Sequence, residues 1–83
     1  MEKYSFNAVV RARLDILNRI TTLFIQKNIP VECVTYRKSE EEDGMALVNL
    51  VCYAPSDEMA MRRIINQANK LVDIAQVEFN KWK

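Results

Sequence analysis

Residues 15–33 read DILNRITTLFIQKNIPVEC, and the fold turns on this stretch. Asp15 suits a helix N-cap, where its carboxylate accepts from a free backbone N–H and meets the positive end of the helix dipole. Ile16, Leu17, Ile20, Leu23, Phe24 and Lys27 then recur at helical spacing, with Asn18, Arg19, Thr22 and Gln26 on the other side. Asn28 tolerates left-handed backbone, and Pro30 cannot continue a helix, so the spacing predicts a stop between them. A β-branched segment starting at Val31 follows. The stretch is a helix, a hard stop and the start of a strand.

Outward from it, residues 3–13 alternate. Tyr4, Phe6, Ala8, Val10 and Ala12 fall on one face, and Lys3, Ser5, Asn7, Arg11 and Arg13 on the other. That is a strand with one buried face, and only Val9 breaks the pattern. Downstream, residues 31–38 make a second strand, SEEEDG (39–44) a charged turn, and residues 45–53 a third strand. Pro55 and Ser56 open a second helix whose apolar stripe is Met61, Ile64, Ile65, Ala68 and Leu71, with Lys70 near its C-terminus. A last strand runs from about Val72 to Phe79, with Ala75, Val77 and Phe79 on one face and residues 80–83 as a frayed tail. The order βαββαβ is the ferredoxin-like α+β arrangement. It places a four-stranded antiparallel sheet under two helices on one face, with the first and third strands central.

Eighty-three residues make one small domain, with a core over about residues 4–79. Such a chain buries only about 60% of its unfolded surface, so pairing with another copy is an expected source of stability. Charge is balanced at twelve Lys plus Arg against eleven Asp plus Glu, which leaves no electrostatic footprint for nucleic acid. No apolar run approaches the ~20 residues that span a bilayer. The start, MEKYSF, lacks the form of a signal peptide, so a cytoplasmic protein with reduced thiols is expected.

A hairpin symmetric about Glu42 and Asp43 sets Cys33 opposite Cys52, Thr35 opposite Leu50 and Arg37 opposite Val48. In that register Val31, Cys33, Val48, Leu50 and Cys52 point toward the helices, and both thiols are small buried hydrophobes. The other face then carries Val9, Val34, Tyr36, Leu47, Val51 and Tyr53, too apolar for water and a candidate partner surface. The second strand is an edge. Residues 31–36 show no proline or bulge signal, and Val31, Cys33, Val34 and Tyr36 form the expected pairing edge of a homodimer.

Catalytic chemistry is missing. No histidine is present for a Ser-His-Asp or Cys-His arrangement or for a Cys/His metal site. The thiols have no basic neighbour to activate them, and the single glycine, Gly44, cannot build a phosphate-cradling loop. Tyr36 and Tyr53 lack the glycine-aromatic signature of RNA-binding domains of this fold. No enzyme, no cofactor, no metal and no nucleic-acid partner are expected.

The stretch LNRITTLFIQKNIPVEC resembles the first helix and second strand of ACT domains, most closely those in regulatory small subunits of acetolactate synthase (acetohydroxyacid synthase). Leu17, Arg19, Leu23, Phe24, Lys27 and Val31 match that pattern, and NKLVDI (69–74) resembles the family's Lys-Leu-Val-Asp-Val entry into the last strand. The resemblance covers about residues 5–79. It implies side-by-side dimers through the second strand and first helix, with valine or a related amino acid held at the dimer interface. It also implies activation of a separate thiamine-diphosphate-dependent catalytic subunit in branched-chain amino acid biosynthesis.

The chain departs from the family where the effector binds. The family's Asn-x-x-Gly loop becomes Ala12 to Asp15, and its Gly-x-Asn before the second strand becomes Asn28, Ile29 and Pro30. Asp15 would repel the effector's carboxylate, and a side chain there blocks close approach of the backbone. Ala12, Asp15, Pro30 and Val31 are therefore read as a degenerate effector site. The expectation is a short, single-domain (residues 1–83), valine-insensitive small subunit that activates a large catalytic subunit. The alternative is a free-standing amino-acid-binding dimer that regulates another enzyme.

Overall fold

A computed structural model describes residues 2–54, 58–71 and 73–82. The elements are β1 (Glu2–Arg11), α1 (Ile16–Gln26), β2 (Val31–Lys38), β3 (Met45–Ala54), α2 (Glu58–Asn69) and β4 (Ile74–Lys81). The strands form one antiparallel sheet in the order β2-β3-β1-β4, so β1 and β3 are central and β2 and β4 are edges. This is the ferredoxin-like arrangement that the periodicity predicts. The caps assigned to Pro55 and Ser56, and Val72, lie outside the described residues.

The core lies between the sheet and the helices. Tyr4, Phe6, Ala8 and Val10 supply it from β1, and Ala46, Val48, Leu50, Cys52 and Ala54 from β3. Ile16, Ile20 and Phe24 come down from α1, and Ile64 and Ala68 from α2. The Phe6 and Phe24 rings meet edge to face at 5.2 Å between centroids, and Phe79 joins them at 6.0 and 6.2 Å. Edge-to-face pairs of this kind add about 0.5–1.5 kcal/mol each beyond the area they bury.

Helix α1 stops as its sequence requires. Asn28 adopts φ 56°. The Asn28 N–H donates to the Ile25 carbonyl at 3.0 Å and the Ile29 N–H to the Phe24 carbonyl at 2.9 Å, the paired bonds of a Schellman motif. Ile29 is buried beside the helix it terminates, which supplies the motif's apolar contact. The start differs from expectation. Asp15 makes no side-chain capping bond. Its carboxylate instead holds the Arg19 guanidinium at 3.0 Å and lies 3.8 Å from that of Arg13.

The β2–β3 register also differs. The observed pairs are Val34↔Leu50, Thr35↔Asn49, Tyr36↔Val48 and Arg37↔Leu47, one residue away from the symmetric hairpin. The turn has an odd number of residues. Ser39 Oγ accepts from the N–H groups of Glu41 and Glu42, the Ser39 N–H donates to the Met45 carbonyl, and Gly44 turns the chain at φ 79°. The one-residue shift exchanges the faces of β2. Val34 and Tyr36 pack against the core, and Cys33 is exposed, not buried. A bulge at Glu32 then restores Val31 to the helix side opposite Cys52, so the edge strand carries the bulge that its sequence does not signal.

A second bulge, at Ala75, puts Ile74 rather than Ala75 opposite Val10 and leaves Ala75 exposed. The last strand extends to Lys81, and the Trp82 N–H donates to the Lys3 carbonyl at 2.9 Å, so residues 80–82 are held to β1 rather than frayed.

Candidate functional site

Three regions bear the sequence-derived site residues. The first is the β1–α1 corner. Ala12 is half-buried, and its N–H donates to the Gly44 carbonyl at 2.9 Å. Beside it, the Asp73 side chain is 5% exposed and faces the guanidinium groups of Arg13 and Arg19, each at 3.7 Å. The Asp73 carbonyl also accepts from the Arg11 N–H at 2.8 Å. Arg19 belongs to the helix motif and Asp73 to the Lys-Leu-Val-Asp motif, so the structure joins the two pieces of the resemblance in one ion-pair cluster. Sequence reasoning missed this pairing, because residues more than fifty apart give no local signal.

Pro30 and Val31 lie at the other end of the fold. The Pro30 carbonyl accepts from the Tyr53 N–H at 3.0 Å, and Val31 packs against the core. Helix α1 separates them from Ala12 and Asp15, a rise of about 16 Å at 1.5 Å per residue. The four positions read as a degenerate effector site therefore do not meet within one copy.

The second region is the β2 edge. Ser39 and Met45 form a hydrogen-bonded pair, so by alternation the main-chain groups of Arg37, Thr35 and Cys33 point to β3. Those of Val34, Tyr36 and Lys38 point away from the sheet. The bulge limits the straight part of this edge to Cys33–Lys38.

The third region is the open face of the sheet. Val9, Leu47 and Tyr53 lie on it partly or wholly open, Val51 is on the same face but buried and so offers a partner nothing, and Val34 and Tyr36 have turned to the helices. Its middle is polar: Asn49 Nδ2 donates to Asn7 Oδ1 at 2.6 Å and to Ser5 Oγ at 3.1 Å. At one end the Lys3 ammonium meets Glu32 at 3.0 Å and lies 4.7 Å from the centre of the Trp82 ring, and the Tyr53 hydroxyl donates to Glu32 at 2.8 Å. The hydrogen bonds from Lys3 and then Tyr53 hold the Glu32 carboxyl below the usual carboxylate range. The bond to Glu32 raises both the Lys3 ammonium and the Tyr53 hydroxyl above their ordinary values. Toward the other end, Asn7, Val9, Thr35, Arg37, Leu47 and Gln76 line a concavity of about 550 Å³. Among the described residues no cluster of His, Cys, Asp or Glu is placed to hold a metal ion, and no helix is long and apolar enough to cross a membrane.

Comparison with solved structures settles the fold. The ACT domain of GTP pyrophosphokinase from Chlorobium tepidum matches 94% of this chain and 96% of its own length, with a TM-score of 0.74 and 14% identity. The chain has the fold of an ACT domain. The acetolactate synthase small subunit from Thermotoga maritima matches this chain with a TM-score of 0.77 and 19% identity, over 94% of this chain and 47% of that one. In sequence, the chain resembles a probable acetolactate synthase small subunit from Methanothermobacter thermautotrophicus, 28% identical over 76 residues. That match covers 92% of this chain and 44% of the relative, so the chain spans less than half the length of either small subunit. No protein-family model matches the chain.

Proposed function

We propose that this ACT domain is a non-catalytic small subunit that activates a thiamine-diphosphate-dependent acetolactate synthase and does not respond to valine. The observation that carries the reading is the 76-residue similarity to a probable small subunit, which runs through both the helix and the Lys-Leu-Val-Asp motifs. The corner geometry supports the second half. Asp15 is engaged by Arg19, which leaves a carboxylate where an effector's own carboxylate would have to come close. Catalysis and thiamine diphosphate belong to the large subunit in this reading, and two copies of the small subunit pair through the β2 edge.

Mixing the chain with a matching large subunit is the test. Acetolactate formation should rise, and millimolar valine should leave it unchanged. Absence of a complex together with unchanged activity overturns the reading, and inhibition by valine overturns its second half.

One observation favours the free-standing amino-acid sensor. Asp15, Asn18, Arg19, Thr22, Leu23 and Leu71 line a groove of about 440 Å³, with charges of both signs beside two leucines. Saturable heat on titration with branched-chain amino acids would select that reading instead.

A further inference from the structure

Leu14 is the most exposed large hydrophobic residue of the described chain, at 105% of its reference area. It stands in the turn that leads into α1, between Arg13 and Asp15, whose ion pairs with Arg19 and Asp73 brace that turn. Ile25, at the far end of α1, is 66% exposed. Leu17, Thr21 and Ile25 share one flank of the helix, and Leu14 leads into that flank from the turn before it, where the Ile16 N–H donates to the Arg13 carbonyl at 3.4 Å. The opposite flank carries Arg19 and Leu23, which line a groove with Leu71 beyond α2. The flank with Leu14 and Ile25 therefore lies on the β2 side.

Two apolar residues at opposite ends of one flank are self-complementary under a two-fold axis, because antiparallel copies bring each end beside the other. The strand beneath has the same property. Glu32 stands at one end of β2 and Arg37 and Lys38 at the other, so antiparallel copies place acid beside base. The outward main-chain groups of Val34, Tyr36 and Lys38 are free to form the ladder between the copies.

We propose that, within the β2-edge dimer, Leu14 of each copy seats its isobutyl group against the end of the other copy's α1, over the partner's Ile25 and Pro30. This rests on the edge dimer of the proposed function and deepens it. The side chain that closes each end of the seam is part of the protein, so the dimer needs no small molecule to complete it.

Sedimentation of the whole chain tests the inference. The wild type should be dimeric at micromolar concentration, and Leu14→Ala should weaken association at least tenfold. Its unfolding curve should not move at low concentration, because a side chain this exposed packs on nothing in one copy. Ile25→Ser should weaken association in the same way. Millimolar free leucine, which restores the missing isobutyl group, should shift the Leu14→Ala equilibrium back toward dimer, whereas glycine should not. A wild-type chain that stays monomeric overturns the edge dimer and this inference with it. A dimer indifferent to Leu14→Ala, or a weakened one that leucine fails to restore, overturns the seat and leaves the edge dimer standing.

Discussion

Asp73 shows how much one side chain can tie together. Its carboxylate answers two guanidinium groups from the β1–α1 turn and the first turn of α1, while its carbonyl caps the end of β1. Asp73→Ala removes the carboxylate and leaves Arg13 and Arg19 half in solvent, so the loss should be about 1–2 kcal/mol rather than the larger cost of a stranded buried charge. Urea unfolding of the variant measures it. The two thiols make a second residue-scale case. Cys52 is wholly buried, and burial pushes its thiol from an ordinary value of 9.0 up to about 11. The unfolded chain therefore gives up this proton more readily than the native one. Its stabilising effect is intact below about pH 9 and should be lost as the pH rises toward 11. Unfolding free energy followed across that range should fall for the wild type and fall less steeply for Cys52→Ala. Aromatic disulfide reagents should label the exposed Cys33 at once and Cys52 only on denaturation.

At the scale of elements, the extent and the stop of α1 were legible because their signals are local, whereas the capping bond read for Asp15 was not, since its carboxylate is drawn to Arg19 instead. The apolar spacing, the left-handed Asn28 and Pro30 act within a few residues of where they stand. The order of strands was legible for the same reason, from a period of two broken by turn residues. The register of β2 was not. It depends on whether the hairpin turn holds an even or odd number of residues, and Ser39 and Gly44 decide that through hydrogen bonds and a positive φ that alternation does not encode. The bulges at Glu32 and Ala75 were silent for a related reason: each is set by what the neighbouring strand demands of the core. Of the site residues, Val34 and Tyr36 carried the error, since a shift of one residue turned them from the open face to the helices. The corrected register makes its own prediction. Lys38 is exposed and its N–H points out of the sheet, so Lys38→Pro should leave the β2–β3 ladder and the unfolding curve nearly unchanged. It should weaken self-association by removing one donor from the outer edge, as read by sedimentation or by dilution of a fluorescently labelled chain.

For the whole molecule, the surfaces divide the labour. If β2 and the adjoining flank of α1 face a second copy, the open sheet face is the one left for the catalytic subunit of the proposed function. That face is polar in the middle, where Ser5, Asn7 and Asn49 bond to one another, and is closed at one end by Lys3, Glu32, Tyr53 and Trp82. Its uncovered apolar part is near Val9 and Leu47, beside Arg37 and Thr35. Leu47 is 38% exposed and contributes nothing to the core between sheet and helices, so a charge there should not unfold the domain. Leu47→Glu should therefore keep the wild-type unfolding curve and the wild-type self-association. In a titration of a large subunit it should raise the concentration needed for half-maximal activation at least tenfold, the loss expected when a carboxylate, even one beside the cross-strand Arg37, replaces an apolar contact and must be desolvated in an interface. Lys38→Pro and Leu14→Ala should show the converse, weakened self-association with docking retained wherever the large subunit can hold single copies. An activation curve unmoved by Leu47→Glu would place the docking surface elsewhere, and the exposed face of α2 would be the next to test.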